Sequence, residues 1–104
     1  MDTLHHVAIA VSDIAQAAQW FRQRFDCSVA YQDDTWALLE FANASLALVL
    51  PSQHRPHVCF LRDDAEKFGP LTEHRDGTRT IYLDGPDGNV VEVLDPKSLG
   101  AIRR

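Results

Sequence analysis

The segment His6-Val7-Ala8-Ile9 returns as His57-Val58-Cys59-Phe60, and Asp13 returns as Asp64, at a constant spacing of 51 residues. A pattern that starts twice constrains a fold strongly, because each copy is a supersecondary unit that buries its apolar face only with help. In the first copy, Leu4 to Val11 alternates as a strand, with Val7, Ile9 and Val11 on one face and His6, Ala8 and Ala10 on the other. Asp13 with Gln16 has the form of a helix cap, and Ile14, Ala17, Ala18, Phe21 and Phe25 share one helical stripe, so 13–26 reads as an amphipathic helix. A short strand at Val29–Tyr31 follows, then a hairpin of Thr35–Ala42 and Ser45–Leu50 around Asn43-Ala44. The order is βαβββ.

After a Pro-bearing linker, 51–56, the order begins again. His57–Arg62 reads as a strand, and Asp63–Phe68 as at most a short helix closed by Gly69-Pro70. Leu71–Arg75 is a candidate strand, and Thr78–Asp84 with Asn89–Leu94 forms a hairpin through Gly85-Pro86-Asp87-Gly88. The closing strands match as well, at a spacing of 45, so the second copy is shorter. The expectation is an α+β protein of paired βαβββ modules: module one 4–50, module two 57–95, and a tail, 96–104, as a surface extension.

With 104 residues, the chain has room for one domain. Its formal charge of −5 argues against a nucleic-acid partner, which needs a surplus of Lys and Arg on one face. No apolar run approaches the roughly 18–20 residues of a membrane helix, and the opening Met1-Asp2-Thr3 is unlike a signal peptide. Two cysteines, Cys27 and Cys59, are too few for a disulfide scaffold. These features point to a cytoplasmic protein.

Strand parity divides the residues between two faces. The helix-covered face collects Val7, Ile9, Val11, Leu46, Leu48, Leu50, Val58, Phe60, Ile81, Leu83, Val91 and Val93. The free face collects His6, Ala8, Ala10, Ser45, Ala47, Val49, His57, Cys59, Thr80, Tyr82 and Glu92. Small residues on a curved sheet leave a hollow, and the polar ones give it directed contacts. His6, His57 and Glu92 are the groups there with ligand chemistry. Taken singly, each is the ordinary rim histidine or solvated glutamate. Together, at equivalent points of a repeat, two imidazoles and one carboxylate suit a divalent first-row metal with open positions. His5 falls on the covered side by parity, and His54 lies in the exposed linker. Glu40 reaches the hollow only if its strand has the parity opposite to the one read here. Cys59 reads as core.

These residues resemble the vicinal oxygen chelate superfamily of glyoxalase I, extradiol dioxygenases, fosfomycin-resistance enzymes and bleomycin-resistance proteins. The carriers are Leu4-His5-His6-Val7-Ala8-Ile9-Ala10-Val11-Ser12-Asp13, the second opening His57-Val58, and the run from Ile81 to Glu92 with its Pro86-Asp87-Gly88-Asn89 turn. The resemblance covers roughly residues 4–95. It implies a U-shaped cup of mixed sheet and a divalent ion (iron, manganese, zinc, nickel or cobalt) held by His6, His57 and Glu92. A first-module acidic ligand position falls on Ala47, which departs from the glyoxalase I pattern. Thr72, His74, Tyr82, Pro86, Gly88 and Glu92 nearly reproduce the extradiol dioxygenase signature, with Gly85 departing from it. Tyr82 and His74 are therefore expected to contact substrate or move a proton. The dioxygenase histidine expected near Ala44 is absent, and fosfomycin-resistance enzymes carry a threonine where Ala8 stands.

Two functions follow from the resemblance. One is a metal-dependent enzyme, of dioxygenase or lyase/isomerase type, acting on a small molecule with vicinal oxygens. The alternative is a binding protein of the bleomycin-resistance type, metal-free or with a purely structural metal, which sequesters a small molecule in a dimer cleft. Trp36 and Tyr31 fit the second, and retention of three ligand residues fits the first. The thin second module is expected to lean on a partner chain, giving a homodimer whose interface offers one way for His6 to meet His57 and Glu92.

Overall fold

The computed structural model describes residues 1–101. The chain forms two compact units, one of residues 6–57 and one of residues 1–5 with Val58 onward. The division falls inside the first strand, β1 (Thr3–Ala10), between His5 and His6.

In the 6–57 unit, β1 leads into α1 (Ile14–Arg24), followed by β2 (Ser28–Gln32), β3 (Trp36–Glu40) and β4 (Ser45–Val49). The helix starts where Asp13 stops the strand: its side chain accepts from the Gln16 amide at 3.0 Å, satisfying a donor that the first turn leaves orphaned. It ends at Phe25, whose amide donates to the Phe21 carbonyl, with Arg22 and Arg24 in the last turn opposing the dipole. β1 runs parallel to β4, β4 antiparallel to β3, and β3 antiparallel to β2. Beneath α1, Ile14, Ala18, Ala37, Leu39 and Leu48 form a buried cluster flanked by Ile9, Val11, Phe21, Leu46 and Leu50. Parity thus assigned Ile9, Val11, Leu46, Leu48 and Leu50 to this face correctly, while Val7, read onto the same face, is 38 % exposed. Leu39 and Leu48 are fully buried, each contributing about 1.5–3 kcal/mol of hydrophobic stabilisation.

The opposite face of the same strands departs from expectation. Ala8, Ala47 and Val49 do not line an open hollow. They are buried with Leu38, and Trp36 packs against the cluster. β3 therefore buries both its faces. A bulge between Val29 and Tyr31 sets Tyr31 opposite Leu38, and its ring stacks on Trp36 at 4.5 Å.

The other unit contains β5 (His57–Leu61), from Val58 on, a 3-10 turn at Ala65–Phe68, then β6 (Thr72–Glu73), β7 (Arg79–Asp84) and β8 (Val90–Leu94). The expected α+β class holds, with the helix of the second copy cut to a single turn. Asp64, the counterpart of Asp13, does not cap it. Its carboxylate pairs instead with Arg62 at 2.9 and 3.0 Å. Gly69 closes the turn at φ +142°, where a Cβ would lie 2.5 Å from Ile81 Cδ1. With so little helix over it, this face leaves Ile81, Leu83 and Val91 half-buried. β6 is shorter than the expected 71–75, because the His74 amide donates to the Thr78 carbonyl at 2.8 Å and turns the chain. β7 and β8 form the expected antiparallel hairpin, with Tyr82 opposite Glu92.

The tail is not simply a surface extension. Pro96–Ala101 is a 3-10 segment. Ser98 is buried, accepting from the Arg79 amide at 2.9 Å and donating to the Asp95 carbonyl at 2.6 Å. The rest of the expected tail, 102–104, lies outside the described residues. Among the described residues, no helix is long and apolar enough to cross a membrane.

Candidate functional site

In the 6–57 unit, His6 and His57 come together within one chain. Their Nε2 atoms lie 3.1 Å apart, with ring planes at 77°. The two therefore meet without the dimer interface that offered one way to bring them together. The Nδ1 of His57 is 2.7 Å from the Arg55 carbonyl oxygen. A carbonyl can only accept, so Nδ1 carries hydrogen, and in neutral His57 the Nε2 lone pair is left for a ligand. The short contact to His6 then needs His6 Nε2 to donate and His57 Nε2 to accept.

The pair meets a metal's distance requirement. An ion bonding two imidazole nitrogens at about 2.0–2.1 Å keeps them roughly 3.0–3.4 Å apart, depending on the bond angle. The observed 3.1 Å falls in that range.

The ladder also settles Glu40. His6 pairs with Ser45, Ser45 with Glu40, and Glu40 with Ser28. Residues directly opposite in a ladder share a face. Glu40 is therefore on the His6 face, with the parity opposite to the one read from the sequence. His54 is exposed, as expected. His5, read as facing the covered side, is half-buried.

In the other unit, Glu92 is 4 % exposed, with Tyr82 and Cys59 of the expected free face beside it and His74 close by. Tyr82, opposite it on β7, hydrogen-bonds to it. His74 Nε2 lies 4.0 Å from Glu92 Oε2, and the His74 ring meets that of Tyr82 edge-on at 6.1 Å. Cys59, fully buried, contacts the same carboxylate. Desolvation and then the Glu92 charge push the Cys59 thiol far up, so it stays protonated and poorly nucleophilic. Tyr82 is raised by the same two causes, although the residue is 45 % exposed. Its phenol is a hydrogen-bond donor at neutral pH. Thr80, 1 % exposed, shares a 2.6 Å hydrogen bond with His74 Nε2 and fixes that ring. The sequence placed Thr80 on this face but gave no sign of its tie to His74. Spacing from residue 74 to 80 is visible only once the turn at 74–78 folds back.

The structure thus gathers the expected site residues as an imidazole pair in one unit and as Glu92 with Tyr82 and His74 in the other.

No family model and no curated protein matches the sequence. Solved structures do match. A Legionella pneumophila protein described as an NAD-dependent benzaldehyde dehydrogenase is 13 % identical, covering 86 % of this chain and 96 % of its own, with a TM-score of 0.68. A glyoxalase/bleomycin resistance protein/dioxygenase superfamily member from Vibrio splendidus is 13 % identical over 90 % and 98 %, also at 0.68. Methylmalonyl-CoA epimerase from Streptomyces coelicolor, in complex with 2-nitronate-propionyl-CoA, is 15 % identical over 90 % and 94 %, at 0.63. The chain therefore has the fold of the glyoxalase/bleomycin resistance/dioxygenase superfamily, the one its motifs resemble.

Proposed function

We propose that the chain is a cytoplasmic, metal-dependent enzyme acting on a small molecule with two adjacent oxygens. His6, His57 and Glu92 hold a divalent ion, and Tyr82 and His74 serve the substrate. The imidazole pair carries this reading: two nitrogens at 3.1 Å, one of them with its lone pair set by the Arg55 carbonyl. Two imidazoles and a carboxylate suit iron, manganese, zinc, nickel or cobalt, and leave positions open. Such an ion supplies Lewis acidity toward the two oxygens.

The residues define the rest. To bind, His6 must present the Nε2 lone pair, so it changes tautomer: Nε2 gives up the hydrogen it shares with His57 while Nδ1 takes one up. Tyr82, kept protonated, donates to a substrate oxygen. His74, anchored by Thr80, accepts or returns a proton beside Glu92. The fold neighbours include an epimerase bound to an acyl-CoA analogue, which supports small-molecule chemistry on this scaffold. The half-buried Ile81, Leu83 and Val91 support a homodimer as the working particle.

The stacked Tyr31–Trp36 pair favours a second reading, a metal-free or structural-metal protein of the bleomycin-resistance type that sequesters a planar molecule. Metal analysis separates the enzyme from the metal-free form of the second reading. Chain purified without chelator should carry about one equivalent of metal, and His57→Ala and Glu92→Ala should lose it. Metal-free wild type, or equal metal in His57→Ala, overturns the enzyme reading.

A further inference from the structure

We propose that Glu40 selects the substrate by charge, favouring a small molecule that carries a cationic, amine-like group at the end remote from its two adjacent oxygens. This rests on the metal site proposed above and adds the substrate's other end.

The ladder registers arrange one face of the 6–57 unit in rows. His6, Ser45, Glu40 and Ser28 form a row across β1, β4, β3 and β2. Every member is polar. The next row runs Ala8–Ala47–Leu38 and ends on Tyr31, whose phenol is taken up by Asp33, and the one after it, Ala10–Val49–Trp36, is apolar. Across β1, β4 and β3, polar side chains on this face are thus concentrated in the row that holds His6.

Within that row Glu40 is the one residue whose ordinary state is a full charge. Its side chain is exposed, while Leu38 in the adjoining row is buried. Among the described residues, nothing hydrogen-bonds or ion-pairs with its carboxylate. No Lys or Arg stands in the three rows to neutralise it. Neighbouring strands lie about 4.8 Å apart, so Glu40 stands roughly 10 Å from His6, two strands across. A small molecule bound through its oxygens beside His6 can lie along the row, over the Ser45 hydroxyl, and bring its far end to Glu40. A cationic end gains there and an anionic end is repelled. Polyanionic ligands such as acyl-CoA, which the epimerase neighbour binds, are disfavoured on the same ground.

The test uses zinc-loaded full-length protein, without oxygen, and three catechols that differ in charge. Dopamine is cationic, 4-methylcatechol neutral and 3,4-dihydroxyphenylacetate anionic. Titration calorimetry should give wild type a preference for dopamine over the acid of about three- to tenfold, as expected for a partly screened charge. Glu40→Gln should bring that ratio close to one, and Glu40→Lys should reverse it. Zinc affinity should be the same in all three proteins. An unchanged ratio in Glu40→Gln overturns the proposal, as does a fall in zinc affinity in Glu40→Gln, which would make Glu40 a ligand. If wild type fails to bind zinc, or binds it as well with His57→Ala, the metal reading itself has failed. A ratio indifferent to Glu40 with zinc binding intact defeats the charge selection alone.

Discussion

Replacing Gly69 by alanine tests how the second module closes. Gly69 has φ +142° with ψ −176°, a region essentially reserved for glycine. A non-glycine residue held there costs on the order of 1–3 kcal/mol. The added Cβ would also lie 2.5 Å from Ile81 Cδ1, well inside contact distance. Cδ1 is the end of a flexible side chain, so the isoleucine turns away, costing about 0.5–1.5 kcal/mol in an off-rotamer angle. Gly69→Ala should therefore destabilise by roughly 2–4 kcal/mol, a large share of the 5–15 kcal/mol of a typical domain. Urea unfolding followed by circular dichroism should show a lower midpoint at unchanged slope.

Valine lacks the Cδ1 that the new methyl meets, so Ile81→Val apportions the cost. Alone, it should cost about 0.5–1.5 kcal/mol. Combined with Gly69→Ala, it should return the clash share and leave the backbone share, giving a coupling of about 1 kcal/mol. A Gly69→Ala variant within 0.5 kcal/mol of wild type would refute the reasoning. So would a double variant whose costs simply add, since Ile81 would then not be what the methyl meets.

Acid should reveal the Asp33 turn. The Tyr31 phenol at 2.5 Å, the Thr35 amide and hydroxyl, and the Trp36 amide hold this carboxyl well below its ordinary 3.8. A depressed folded value gives stability that is complete above the unfolded value and lost as pH falls below about 4. Tyr31→Phe, which removes the largest contribution, should raise the Asp33 titration in carboxyl NMR and shrink that acid-labile stability; an unmoved titration would contradict the assignment. The two cysteines should also differ sharply. Both are free, Cys27 half-buried and Cys59 buried with its thiol raised. A thiol reagent at neutral pH should modify Cys27 in the native protein and Cys59 only in denaturant, and fast native labelling of Cys59 would show that Glu92 is not enclosed as described.

Much of the arrangement is legible in the sequence because it follows from alternation. Val7, Ile9 and Val11 against His6, Ala8 and Ala10 fix the faces of β1, and Asp13 marks the helix start through a local hydrogen bond. His6 and His57 could be paired before any coordinates, because they open equivalent strands of a repeat. Tyr82 and Glu92 follow from hairpin register. Glu40 was illegible for the complementary reason. β3 buries Ala37, Leu38 and Leu39 in succession, so no alternation orients it. Only its pairing with Ser45 does so. The filled face of the 6–57 unit had the same source: Leu38 and Trp36 belong to the strand whose sides could not be told apart. The tie of His74 to Thr80 and the docking of Ser98 on the Arg79 amide are tertiary contacts with no periodic signature.

The boundary between His5 and His6 has a consequence for how the chain is made. Residues 6–57 are contiguous, so that unit can close on the ribosome once β4 emerges beside β1. The other unit takes its first five residues from the start of the chain and the rest from Val58 onward. Its assembly waits on late translation and long-range closure, the slower class of folding event. His57 is the last residue of the early unit, so the imidazole pair forms just as the later half of the protein begins to appear.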